Sequence, residues 1–90
     1  MKLDRNQIEA DFRALIGPLC DAVGPSGFED EVADLLRKEL SDCDVKLSDD
    51  VMGNLIAYKK GTKKGSILIA AHMDEIGLII RHIDSKGFLW

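Results

Sequence analysis

The stretch Ile67-Leu68-Ile69-Ala70-Ala71-His72-Met73-Asp74-Glu75-Ile76-Gly77 decides how this chain is read. Its first five residues are aliphatic or small, the pattern of a strand buried on both faces, and the apolar run ends at a histidine and a carboxylate. Polar chemistry at the end of a buried strand is the arrangement of an α/β enzyme, whose sites open where the strands end. In extended backbone, His72 and Asp74 lie two residues apart and project to the same side. Asp74 can then accept a hydrogen bond from one imidazole nitrogen, leaving the other, made more basic, to bind a metal. Spacing alone leaves a second account open, in which His72 is a loop histidine that hydrogen-bonds locally.

Working outward toward the N-terminus, Ile8, Phe12, Leu15, Ile16, Leu19 and Val23 recur at intervals of three and four. This spacing predicts a helix from about Asn6 to Ala22, with Asp4 and Gln7 as its capping box and a kink or stop at Gly17-Pro18. Gly24-Pro25-Ser26-Gly27 is turn chemistry that closes it. Ser26 and Glu29 repeat the capping-box pattern before a second helix, expected from about Glu29 to Ser41, with Val32, Leu35, Leu36 and Leu40 inward and Asp34, Arg37, Lys38 and Glu39 toward water. The acidic run Glu29-Asp30-Glu31 fits the electrostatics of a helix N-terminus better than it fits a ligand set.

From Asp42 the period becomes two. Val45 and Leu47, then Leu55 to Tyr58, read as paired strands across a turn that Asp49 and Asp50 introduce. Gly61 and Gly65 bracket a lysine-rich turn ahead of the strand Ser66 to Ala71; Ile76 to Ile83 is another apolar run. Asp84-Ser85-Lys86-Gly87 is a further turn, and Phe88-Leu89-Trp90 opens a strand with nothing left to pair with, so the chain reads as truncated. His82 reads as a solvent-facing strand residue, and Glu75 points away from Asp74.

Composition narrows the function classes. Twelve basic against sixteen acidic residues give a net charge of -4, which argues against a nucleic-acid footprint, and the lysines at 59, 60, 63 and 64 suit a solvated turn. No run reaches the length of a membrane span and no secretory h-region is present, so a cytoplasmic location without membrane contact is expected. Cys20 and Cys43 are then expected as reduced thiols.

Three segments together, Gly24 to Val32, Met52-Gly53-Asn54-Leu55-Ile56-Ala57 and Ala70 to Leu78, resemble the cytosolic dinuclear-metal aminopeptidases that include glutamyl aminopeptidase and the tetrahedral aminopeptidases, some of them named endoglucanase. The likeness is to the N-terminal part of such an enzyme, roughly a quarter of a two-domain chain of a few hundred residues. It implies an α/β fold: the N-terminal part of a mixed-sheet metallopeptidase catalytic domain, two helices followed by strands, over residues 1–83. Residues 84–90 would begin an inserted β dimerisation domain. By the same likeness His72 is a ligand of one of two divalent ions, zinc or cobalt, and Asp74 is the catalytic-site carboxylate that orients it. The other ligands and the general base would lie outside these 90 residues.

The implied function is hydrolysis of N-terminal residues from peptides by a cytoplasmic homo-oligomer, with this chain inactive alone. Two alternatives stand beside it: a related metal-dependent deacylase or carboxypeptidase, and a non-catalytic interaction module.

Overall fold

The computed structural model describes residues 4–90, so the first three residues of the expected 1–83 unit lie outside the described part. Asp4 caps the first helix, α1 (Arg5–Asp21), by accepting from the Asn6 amide at 3.1 Å. The other half of the expected capping box does not form: Gln7 turns forward and donates to Asp11 at 2.7 Å, an i,i+4 partner on the same face. Helical geometry continues through Pro18 for one more turn, and the Ala22 amide closes on the Pro18 carbonyl at 3.1 Å. The proline costs the helix one donor, yet no residue of α1 is buried, so the carbonyl that donor would have met is free to bond water. Its apolar stripe forms as the spacing predicts but stays exposed except at the half-buried Leu19.

The second helix, α2 (Asp30–Leu40), carries Asp30 and Glu31 in its first turn and Arg37 and Lys38 in its last, both favourable to the helix dipole. Its inward face holds the buried Val32 and Ala33, while Leu35, Leu36 and Leu40 are half-buried. Ala33 was not expected inside. Arg37, expected to face water, instead ion-pairs with Asp34 on its own helix and with Asp49 on the first strand, which ties the helix to the sheet. These bonds hold its guanidinium pKa above the ordinary value, the Asp49 contact contributing most.

Strands β1 (Lys46–Asp49) and β2 (Leu55–Tyr58) form the expected antiparallel hairpin, with Lys46 opposite Tyr58 and Asp49 opposite Leu55. Asp50 builds the turn. Its carboxylate accepts from the Asn54 side-chain amide at 2.7 Å and from the Asn54 and Met52 amides at 3.0 and 2.9 Å. The Asn54 side chain, then these amides, hold the Asp50 carboxyl below the ordinary carboxylate range. A depressed pKa means that the unfolded chain binds the proton first, so this contribution is complete at neutral pH and is lost as the pH falls through the folded value. Acidification should therefore loosen the hairpin, read as collapse of the 46–58 amide shifts, and Asp50→Ala should remove that acid-dependent step while leaving the α2 shifts in place.

Two expectations about the later chain are corrected. Residues 66–71 do not form a buried strand: Ile67, Leu68 and Ile69 are about nine-tenths exposed, and Ile76 and Leu78 are fully exposed. Among the described residues, no helix or strand lies against either face of this run to bury it. Conversely, Phe88-Leu89-Trp90 does find a partner. It folds back across the Asp84–Gly87 turn, with Trp90 donating to the His82 carbonyl at 2.9 Å, Arg81 donating to the Trp90 carbonyl at 2.7 Å, and Ile83 bridged to Leu89. Asp84 organises this turn by accepting from Phe88 and Lys86 amides, which lowers its pKa, Phe88 contributing most.

The result is an extended body. Its radius of gyration is 17.9 Å, against about 12 Å for a compact chain of this length. Its accessible surface of 8788 Å² exceeds the roughly 5200 Å² of a compact 9.9 kDa protein. What burial exists centres on one close approach. Gly24 is buried against Val32, and a Cβ at Gly24 would sit 2.7 Å from Val32 Cγ2. Gly24→Ala should cost about 1 to 3 kcal/mol by overpacking, measured as a lower urea midpoint.

Candidate functional site

The turn after α1 and the loop after residue 71 meet directly. Pro25 to Phe28 form a β-turn closed by the Phe28 amide on the Pro25 carbonyl at 2.8 Å, with Gly27 at φ 86° in the position that needs a left-handed residue. Pro25 bridges to Glu75 in parallel, and the Glu75 amide donates to the Gly24 carbonyl at 2.8 Å. Gly77 packs on Pro25 so closely that a Cβ there would lie 3.0 Å from the proline Cβ. Residues almost fifty apart in sequence thereby hold the His72–Asp74 loop against the start of α2.

Within that loop, His72 Nδ1 lies 3.0 Å from Asp74 Oδ1 and 2.9 Å from the Asp74 backbone carbonyl. Both neighbours are acceptors, so Nδ1 carries the proton and, in the neutral ring, the Nε2 lone pair is free. The ring itself is 85% exposed, leaving Nε2 open to a ligand, whereas Asp74 is only 40% exposed. Asp74 is held from its far side as well: the Ser26 hydroxyl donates to Asp74 Oδ2 at 2.5 Å. The Ser26 bond first, then the His72 bond, keep the Asp74 carboxyl below the ordinary range, so it is ionised at neutral pH and acts as an acceptor only.

A cleft of about 310 Å³ lies in front of these residues. One wall is Leu36 and Leu40 of α2, another is the hairpin at Gly53 and Asn54, and Ala71 to Asp74 form the third. Glu29 also lines it while its carboxylate accepts from the Gly27 amide at 2.8 Å. The three segments singled out by the sequence, 24–32, 52–57 and 70–78, thus converge on one cleft.

The structure brings His72 and Asp74 together as the spacing predicts, and it adds Ser26, which the sequence placed in a capping box. That box does not form: α2 begins after Glu29 without a side-chain cap, and the serine hydroxyl is engaged by Asp74 instead. A local pattern of serine and glutamate gave no signal of a partner so distant in sequence. His82 is exposed and contributes only its backbone, to Trp90; Glu75 is exposed and holds Gly24 through its amide. Cys20 and Cys43 are free thiols at the surface. Among the described residues, no three His, Cys, Asp or Glu side chains gather as a ligand set, and no helix is long and apolar enough to cross a membrane.

Comparison with known proteins fits this arrangement. Residues 53–90 match the family described as M42 glutamyl aminopeptidase. The chain is a relative of these aminopeptidases. It is 44% identical over 81 residues to a protein of Acetivibrio thermocellus that bears an aminopeptidase name, covering 90% of this chain and 24% of that one. It is 41% identical over 80 residues to the lysyl aminopeptidase of Pyrococcus furiosus, covering 83% of this chain and 22% of that one. FrvX of Escherichia coli K12, also given an aminopeptidase name, is 40% identical over 75 residues, or 83% of this chain and 21% of its own. The chain spans about a quarter of the length of these aminopeptidase relatives. No solved structure matches it.

The donor set suits a divalent metal as far as it goes. A neutral imidazole with Nε2 free and Nδ1–H given to a carboxylate is the way a ligating histidine is oriented and made more basic.

Proposed function

We propose that this chain supplies the N-terminal part of the catalytic domain of a metal-dependent aminopeptidase, over residues 1–83, with residues 84–90 leading into an inserted β domain. The observation that carries the reading is the hydrogen bond from His72 Nδ1–H to Asp74 beside a cleft, with Nε2 open. His72 offers this nitrogen to one of two divalent ions, zinc or cobalt. A divalent pair supplies Lewis-acid polarisation of a peptide carbonyl and a water acidified at neutral pH. Asp74 fixes the orientation and tautomer of the ring; Leu36 and Leu40 give the cleft an apolar wall against a substrate side chain. The likeness to named aminopeptidases supports a peptide as substrate, and a cytoplasmic, homo-oligomeric enzyme is part of the same proposal.

One histidine is not a catalytic centre. A catalytic zinc takes about three protein ligands, and the described residues gather no such set, so the 90 residues alone should show no turnover. The test is a chimera in which this sequence replaces the corresponding quarter of the Pyrococcus lysyl aminopeptidase, assayed on aminoacyl and N-acyl amides. Aminopeptidase turnover that falls to background with His72→Ala is expected. Unchanged turnover in that variant would overturn the role of His72, and cleavage of N-acyl substrates alone would replace the aminopeptidase reading with a deacylase.

A further inference from the structure

We propose that Ser26 is a positioning residue of this site: its hydroxyl holds the Asp74 carboxylate in an orientation that, together with the Asp74 backbone carbonyl, fixes His72 as the Nδ1–H tautomer, with Nε2 left open to the ligand. The inference deepens the reading of Asp74 as the orienting carboxylate and rests on it.

Three observations carry it. First, the hydroxyl is the partner of the carboxylate oxygen that His72 does not use, so the two donors pin Asp74 from opposite ends: Ser26 on Oδ2 at 2.5 Å and His72 on Oδ1 at 3.0 Å. An ionised carboxylate accepts from both, and a bond of this length suits a charge-assisted O–H donor. Second, Ser26 sits on a turn that is tied at several points. Its turn is closed by the Phe28 amide, bridged to Glu75 on one side, and backed by Gly24 in contact with the buried Val32. Third, Ser26 has no local task that would account for it, because the helix that follows starts without its side chain. Asp74, at 40% exposure, would otherwise rotate about its terminal torsion, which is broad. Without the serine, the carboxylate would spend part of its time turned to water, and the Asp74 carbonyl alone, 2.9 Å from Nδ1, would hold the ring proton.

The experiment is nitrogen-15 NMR of the imidazole in the 90-residue chain, with Ile67→Lys and Ile69→Lys to suppress pairing of the exposed 67–69 run between chains and His82→Gln leaving one histidine, in mildly alkaline buffer where an imidazole is neutral. Ring nitrogen shifts distinguish Nδ1–H from Nε2–H. The parent should show predominantly Nδ1–H, Ser26→Ala should shift the population toward Nε2–H, and Ser26→Thr, which keeps the hydroxyl, should restore it. The 46–58 amide shifts report folding in every variant. If the parent is Nδ1–H and Ser26→Ala leaves it so, the inference about Ser26 fails, and Asp74→Ala then separates the carboxylate, whose role survives if the tautomer shifts in that variant, from the Asp74 carbonyl. If the parent itself is Nε2–H, the underlying reading of Asp74 fails. Loss of the 46–58 shifts in Ser26→Ala would make the hydroxyl a structural group and overturn the positioning role.

Discussion

Cobalt(II) added to the 90-residue chain should broaden the His72 ring resonances and the amides of Ala71 to Asp74, and His72→Ala should abolish the effect. The ring offers one open nitrogen, 85% exposure and a cleft in front of it, so access is not limiting. Affinity is limiting, because no set of three ligating side chains gathers among the described residues. Saturation should accordingly require cobalt in large excess over the chain. Asp74→Ala removes the carboxylate acceptor and leaves only the backbone carbonyl on Nδ1, and loss of such a partner typically weakens a histidine-held metal by about 10- to 100-fold. Broadening that survives His72→Ala would show cobalt held elsewhere on this acidic chain, and the assignment of His72 as its ligand would fall.

The other large effect concerns self-association. Ile67, Leu68 and Ile69 stand about nine-tenths exposed in an extended run whose backbone donors and acceptors meet no strand among the described residues. Such a run is a template for pairing with another chain, and charge is the device that blunts it. At micromolar concentrations the chain should sediment as a concentration-dependent assembly, and Ile67→Lys with Ile69→Lys should return it to a monomer. A parent that remains monomeric, with slowly exchanging amides at 67–71, would show the run covered within its own chain and would sink this prediction.

Most local signals were legible in the sequence, the Asp4–Gln7 box and the return of Phe88–Trp90 onto residues 81–83 excepted, and distant ones were not. The two helices, the hairpin and the Asp84–Gly87 turn all follow from patterns within a few residues, and each appears within one residue or so of its expected bounds. The pairing of His72 with Asp74 is equally local, fixed by the alternation of extended backbone. Three features depend on partners far along the chain, and each was misread. Ser26 carried a capping pattern, yet its hydroxyl meets Asp74, 48 residues on. Arg37 looked solvent-facing on a helical wheel, but Asp49 reaches it from β1. The aliphatic run before His72 has the composition of an interior strand; composition states what a segment needs for burial, whereas coverage depends on neighbouring elements, and here none is in place.

The bridge between Gly24-Pro25-Ser26 and Asp74-Glu75 also bears on the order in which the chain is built. Helix turns and a hairpin of two four-residue strands close loops of a few residues, on nanosecond to microsecond timescales. Joining residue 26 to residue 74 must first confine the 48-residue separation between them, an entropic cost that local elements escape. The orientation of His72 is therefore set late, once α2 and the hairpin exist to carry the two sides together. Opening follows the reverse path. Because few apolar contacts reinforce that bridge, the amide of Glu75 should exchange through a local fluctuation that leaves α2 intact, and the geometry at His72 will come and go with it.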